Sequence, residues 1–274
     1  MNIFGTNNGK VNINVNGRSI NISGGSNITI NNGQVFVDGK PYVEKAMGQA
    51  RPFCWSETFK LNFNKVVVKA KSTNVKIQKG EINSIKYAGD YYGNEEPHYR
   101  LMMEHSPNYG EMEIWVDHED IITKNSKLII TLKSCDDITI ENASGNIVLN
   151  DVDADSVSLT NASGNTHCDG STDVLTIESK SGDVNFHGDF DQATLKTMSG
   201  DMEIGVLNKN NCQLIATAMS GDIGIMADAF ENFNINTSTM SGKVKNRVRR
   251  IYPNKNTLTA NLQTMSGDIC IDEM

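Results

Sequence analysis

The stretch Leu195-Lys-Thr-Met-Ser-Gly-Asp-Met-Glu-Ile204 is one copy of a pattern that recurs through the second half of the chain. Ser-Gly returns at Ser144-Gly145, Ser163-Gly164, Ser181-Gly182, Ser199-Gly200, Ser220-Gly221, Ser241-Gly242 and Ser266-Gly267, at intervals of 19, 18, 18, 21, 21 and 25 residues. Alternating apolar residues precede each pair, as at Leu175 and Ile177, and others follow it, as at Val184 and Phe186 or Ile223 and Ile225. Period-2 alternation places one face of an extended strand inward. A single copy cannot bury that face, but a stack of copies can, with parallel strands about 4.8 Å apart. Glycine suits each corner because the chain turns there with no room for a Cβ. The pattern predicts a single-stranded parallel β-solenoid, right-handed by preference, with seven or eight rungs in sequence order.

Working outward, Ser72-Thr-Asn-Val-Lys-Ile77 reads as a degenerate first copy, and Phe59–Lys71 as a strand before it. Residues 86–127 hold five of the seven tyrosines (Tyr87, Tyr91, Tyr92, Tyr99, Tyr109), Trp115 and the histidines His98, His105 and His118. Strands near Tyr99–Glu104 and Glu111–Val116 flank Ser106-Pro-Asn-Tyr-Gly110, which predicts a hairpin insertion that projects from the array or caps it. Around Glu44–Gln49 a short helix is conceivable before Pro52. Residues 1–43 alternate separately: Val11, Ile13 and Val15; Ile20 and Ile22; Ile28 and Ile30; Val35 and Val37. Between them stand Asn16-Gly17, Gly24-Gly25, Asn32-Gly33 and Asp38-Gly39, the dipeptides of tight hairpin turns. The expected organisation is therefore a small antiparallel hairpin module at 1–43 and a solenoid at 44–274. Within the latter, 86–127 is inserted and 138–274 is the regular array.

Composition agrees. Ile, Val and Thr total 63 against 25 for Leu and Ala, and Asn numbers 33. This favours pleated strands and turns over helices. The net charge of −8 argues against a general nucleic-acid binder. No apolar run reaches the length of a membrane-spanning helix. The first ten residues lack a secretory signal, so a cytoplasmic location is the default unless a leader was removed. Cys54, Cys135, Cys168, Cys212 and Cys270 are scattered and odd in number, as for reduced, buried or half-buried thiols.

The recurring Ser-Gly-Asp rungs, the divergent copy at 72–77 and the hairpin insertion resemble the bacterial DUF4097 adhesin-like family, over about residues 60–274, with 1–43 outside. The resemblance implies a β-solenoid and, often, an envelope association. It implies no catalytic residue and no cofactor.

Four groups of residues are candidates for chemistry. Asp183, Asp201, Asp222 and Asp268 follow Ser-Gly, with Asn146, Asn165 and Lys243 in the same position elsewhere. They could form a Ca²⁺ ladder or a glycosidase-like carboxylate pair. The simpler reading, favoured by Asn and Lys in the column, is that each bonds the amides of its own turn. Met198, Met219, Met240 and Met265 precede Ser-Gly. Strand parity, with Leu195 and Thr197 inward and Lys180 in the same column, points them outward as an adaptable partner surface. If parity flips at the corner they join the core, which is the commoner outcome. Lys243, Lys245, Arg247 and Arg249 form a one-sided cationic stripe for a polyanion, or more ordinarily a solvated face offset by nearby acids. The histidines, with Glu95, Glu96 or Glu104, match no metal-ligand spacing. The tyrosines could stack on sugars but more often pair across their own hairpin.

No P-loop, GxGxxG, HExxH or GxSxG occurs. The expected function is a non-enzymatic, adhesin-like binding or scaffold protein without a cofactor, facing a glycan, an anionic envelope polymer or a protein. The alternatives are a self-assembling structural protein, through an uncovered last rung at the C-terminus, or a carbohydrate-active β-helix enzyme.

Overall fold

The computed structural model describes the strand backbones within residues 2–41 and residues 50–273 apart from 93–94, 106–109, 117–121, 208–210, 228–231 and 249–255, with His105 described for its backbone only. The chain separates into two units, residues 1–49 and 50–274. In the first, β1 (Asn2–Asn7), β2 (Lys10–Val15) and β3 (Arg18–Ser23) make one antiparallel sheet, and β4 (Ile28–Asn31), β5 (Gln34–Val37) and β6 (Lys40–Pro41) make another. The alternating runs are strands, in two three-stranded antiparallel sheets. The four hairpin dipeptides and the 44–49 helix lie outside the described residues.

The second unit is one 18-stranded mixed sheet. Its strands are β7 (Arg51–Phe59), β8 (Phe63–Ala70), β9 (Asn74–Lys79), β10 (Asn83–Tyr92), β11 (Arg100–His105), β12 (Gly110–Val116) and β13 (Ile122–Leu132). There follow β14 (Asp137–Asn142), β15 (Ile147–Asn161), β16 (Thr166–Ser181), β17 (Val184–Ser199), β18 (Met202–Val206) and β19 (Cys212–Ser220). The last five are β20 (Ile223–Ala227), β21 (Asn232–Ser241), β22 (Val244–Asn246), β23 (Thr257–Ser266) and β24 (Ile269–Glu273). Among the described residues there is no helix, and none therefore long and apolar enough to cross a membrane.

Each rung has a leading arm, a Ser-Gly corner and a trailing arm. Leading arms pair in parallel with leading arms, so that Ile177 stands beside Leu159 and Leu195, while trailing arms do likewise, Phe186 beside Cys168 and Ile204. The alternation read from the sequence is the burial pattern. Leu159, Ile177, Leu195, Leu214 and Leu262 fill the interior from one side, and Ile147, Phe186, Ile204, Ile225 and Ile271 from the other. Each such side chain contributes about 1.5–3 kcal/mol by leaving water. The copy at 72–77 is a true rung: β9 pairs in register with Ile147–Asn150, and β8 with β14.

Two features of the path matter. Of the two arrangements expected of the insertion, projecting or capping, it takes the capping one. β12 and β13 stack as a further rung on β8 and β9, and β11, β10 and β7 close that end in antiparallel pairing. A core of Phe53, Tyr87 and Tyr91 fills this end, with Phe53 and Tyr87 edge to face at 4.7 Å. At the other end the rungs are out of sequence order. β23 and β24 pair with β19 and β20 on one side and with β21 and β22 on the other. The last rung in the chain is thus the penultimate one in space. Among the described strands, the rung paired on one side only is β21–β22 and not, as expected, the one at the C-terminus.

Candidate functional site

The corners carry the repeated chemistry. At Gly200, φ is +134°, and a Cβ would lie 2.3 Å from the carbonyl oxygen of Gly182 one rung below. Only glycine permits this approach, and it brings the corner peptides close enough to bond along the stack. The N–H of Gly182 donates to Ser199 O at 3.0 Å and that of Gly200 to Ser220 O at 3.1 Å.

The column after each Ser-Gly is a continuous ladder. Asn74 Oδ1 accepts the N–H of Asn146 (2.9 Å), Asn146 Oδ1 that of Asn165 (3.0 Å), and Asn165 Oδ1 that of Asp183 (3.0 Å). Asp183 accepts from Asp201 (3.0 Å), Asp201 from Asp222 (2.8 Å), Asp222 from Asp268 (2.7 Å) and Asp268 from Lys243 (2.7 Å). This corrects the expectation that each side chain serves its own turn: it serves the next rung. Lys243, whose presence in the column favoured the own-turn reading, donates its N–H to Asp268 at the terminal rung, and among the described residues no further amide of the ladder follows it. Among the described residues no cluster of three metal-ligating side chains occurs. Each carboxylate has its bonded role in the stack.

The methionine column faces outward. Met198, Met219 and Met265 are each about half exposed (51%, 50% and 51%) and Met240 is 81% exposed. The reading that placed them in the core is therefore overturned. Met and the following Ser are both exposed, so parity breaks after the methionine and not before it. Register brings the four into one row in the spatial order 198, 219, 265, 240. At the rung spacing of about 4.8 Å this is an apolar stripe some 15 Å long. It runs to the open end of the stack.

The cationic stripe lies on that terminal rung. Lys243, Lys245 and Arg247 are exposed, and Arg249 lies outside the described residues. Acids on the neighbouring rung offset the charge. Arg247 Nη1 reaches Asp272 Oδ1 at 3.1 Å, and Asp268 bonds the Lys243 backbone. The Cys270 thiol between them is raised by burial and by Asp272, against the pull of Arg247 and Lys245.

Of the remaining candidates, Tyr87 and Tyr91 are buried, His98 and Glu95 are exposed, and Tyr109 lies outside the described residues. Tyr87 is fully buried, which pushes its phenol up to about 12. Tyr99 donates to Glu57 at 2.9 Å, and the His98 ring lies 4.4 Å from that of Trp55. The side chains of His105 and His118 are outside the described residues. Cys135, Cys168 and Cys212 are buried, Cys270 is half-buried, and Cys54 is exposed, contrary to expectation. An open recess of about 490 Å³ near Asp191, Asn211 and Thr257 has, among the described residues of its lining, one carboxylate and no histidine to pair with it.

A sequence profile described as Toastrack DUF4097 matches residues 3–274, so the likeness extends beyond 60–274 to take in the Asn-rich segment. A search of curated proteins finds no match. Among solved structures, the chain is similar to a proposed cell adhesion protein from Clostridium sporogenes, with 14% identity, 82% of this chain and 100% of that one covered, and a TM-score of 0.36. It is similar to a proposed adhesin from Parabacteroides merdae (12% identity, 83% and 98% covered, TM-score 0.45). A proposed lipid-binding protein from Parabacteroides distasonis is also similar (10% identity, 81% and 96% covered, TM-score 0.36).

Proposed function

Since the chain belongs to the Toastrack DUF4097 family, we propose that it is a non-enzymatic binding or scaffold protein of the adhesin-like kind, acting at the cell envelope. In this reading the stacked rungs of the second unit are a single-stranded parallel β-solenoid, right-handed, with β7, β10 and β11 closing one end in antiparallel pairing, and the first unit is a separate hairpin module. The observation that carries the proposal is the unbroken row Met198, Met219, Met265 and Met240 on consecutive rungs. The row leaves half or more of each thioether side chain to solvent, and a flexible, polarisable stripe accommodates partners of varied shape. The test uses the full chain and a variant carrying Met198→Lys, Met219→Lys and Met265→Lys on glycan, phospholipid-vesicle and peptide arrays. The expected result is a ligand bound by the wild type and lost in the variant at unchanged thermal midpoint. No binding above background, or equal binding by both proteins, overturns the proposal.

One observation favours a second reading, assembly through the open end. Val244 is 43% exposed, and Phe233 and Ile235 are only partly covered. Lysines at such an edge oppose strand pairing, so assembly should appear on light scattering when Lys243 and Lys245 are changed to Thr. A variant that stays monomeric at high concentration refutes it.

A further inference from the structure

The rung order at the open end is the feature that neither the binding surface nor the family explains. In sequence the last three rungs are β19–β20, β21–β22 and β23–β24; in space β23–β24 lies between the other two. Among the described residues β21 and β22 pair with no strand of the body except β23 and β24. The corner bonds tell the same story. The N–H of Gly221 donates to Ser266 O at 2.9 Å and that of Gly267 to Ser241 O at 3.0 Å. The ladder passes from Asp222 to Asp268 and only then to Lys243. The inserted rung is well buried, with Leu258, Leu262, Ile269 and Ile271 all at 0% exposure. Its connection is long: ten residues separate β22 from β23, whereas five and four suffice from β18 to β19 and from β20 to β21.

We infer that the C-terminal rung is a latch: residues 257–273 hold 232–246 on the molecule, and their withdrawal releases both together. In a stacked array each rung is stabilised by its spatial neighbours alone. Opening of β23–β24 therefore leaves β21–β22 with no strand partner among the described residues. Loss of β21–β22 leaves β23–β24 still paired with β19–β20. The dependence runs one way. Release would free a segment bearing Phe233, Ile235, Met240, Lys243 and Lys245. It would also open the β19–β20 edge, with Leu214, Ala216, Ile223 and Ile225 behind it, to any extended strand.

Hydrogen–deuterium exchange on the full chain tests this directly. In the wild type, amides of 232–246 exchange faster than those of 257–273, although the latter are nearer the C-terminus; the reverse order overturns the inference. Leu262→Ala empties a fully buried site in the inserted rung. It should speed exchange in both 257–273 and 232–246 by roughly 30-fold or more, while 166–206 keeps its rate. Ile235→Ala should speed 232–246 alone. Leu262→Val serves if the alanine variant fails to fold, with a smaller effect of the same pattern. Unchanged exchange in 232–246 on altering Leu262, or equal loosening of both rungs on altering Ile235, refutes the latch.

Discussion

Replacing Gly200 by alanine should be among the most damaging single changes in the array. The backbone at Gly200 has φ +134°, where a side chain costs roughly 1–2 kcal/mol. The new Cβ would sit 2.3 Å from Gly182 O, 2.6 Å from Gly182 C and 3.2 Å from Asp183 N, all of them backbone atoms that cannot rotate away. Relieving the overlap means parting the two rungs by about 1 Å at the corner. The bonds from Gly182 N to Ser199 O (3.0 Å) and from Asp201 N to Asp183 Oδ1 (3.0 Å) would then lengthen beyond hydrogen-bonding range. At about 0.5–1.5 kcal/mol for each bond, the total is about 2–5 kcal/mol. Gly224→Ala is the control. Its Cβ would meet nothing nearer than Met202 O at 3.7 Å and its φ is ordinary, so it should be neutral or slightly stabilising. Guanidinium titration followed by far-ultraviolet circular dichroism, with exchange of the 184–206 amides as a local probe, compares the two. A Gly200→Ala protein within about 1 kcal/mol of wild type would falsify the account of the corner.

Other predictions follow from the ladder and the buried acids. Asp222→Asn keeps an acceptor for the Asp268 amide (2.7 Å) and removes a carboxylate stacked between two others, so it should be neutral or mildly stabilising at low salt, the difference shrinking as salt rises. Asp222→Ala should cost about 1 kcal/mol, and a urea melt placing alanine above asparagine in stability would contradict the ladder. Burial pushes Cys135, Cys168 and Cys212 from 9.0, and Tyr87 from 10.0, up to about 12. The folded chain keeps these protons while the unfolded chain releases them, so this stabilisation is full below about pH 9 and is lost as pH rises towards 12. The thermal midpoint should fall steadily from pH 9 to 11, less steeply in Cys168→Ala; a flat profile disproves it. A soluble disulfide reagent at pH 8 should label Cys54 quickly and the three buried thiols only on unfolding, and comparable rates for all would be incompatible with their burial.

Much of the architecture was legible because its causes are local. Alternation over a few residues sets which side chains enter the core, and a Ser-Gly pair marks each corner of the regular array; neither needs knowledge of distant residues. The rung at 72–77 could be read for the same reason, since Thr73 and Asn74 occupy the corner and ladder positions of the later copies. The outward methionines were half legible: parity along the strand pointed the right way, but the residue at which parity breaks depends on the corner's geometry. The ladder was visible as a column of Asn and Asp, yet its bonds join residues from 18 to 72 positions apart, so its direction was not.

Residue order alone settles the strands, the corners and the membership of each column. The succession of rungs belongs to the folded molecule. Every copy presents the same corner and the same alternating face, so adjacent seats in the stack differ little in what they demand of an occupant. Local pattern then cannot distinguish a chain that stacks in order from one that leaves a seat empty and returns to fill it. The choice rests on how the particular side chains of β21 and β23 fit between their neighbours and on a ten-residue connection long enough to allow the return. The same choice puts Lys243 at the end of the ladder and Met240 at the end of the stripe.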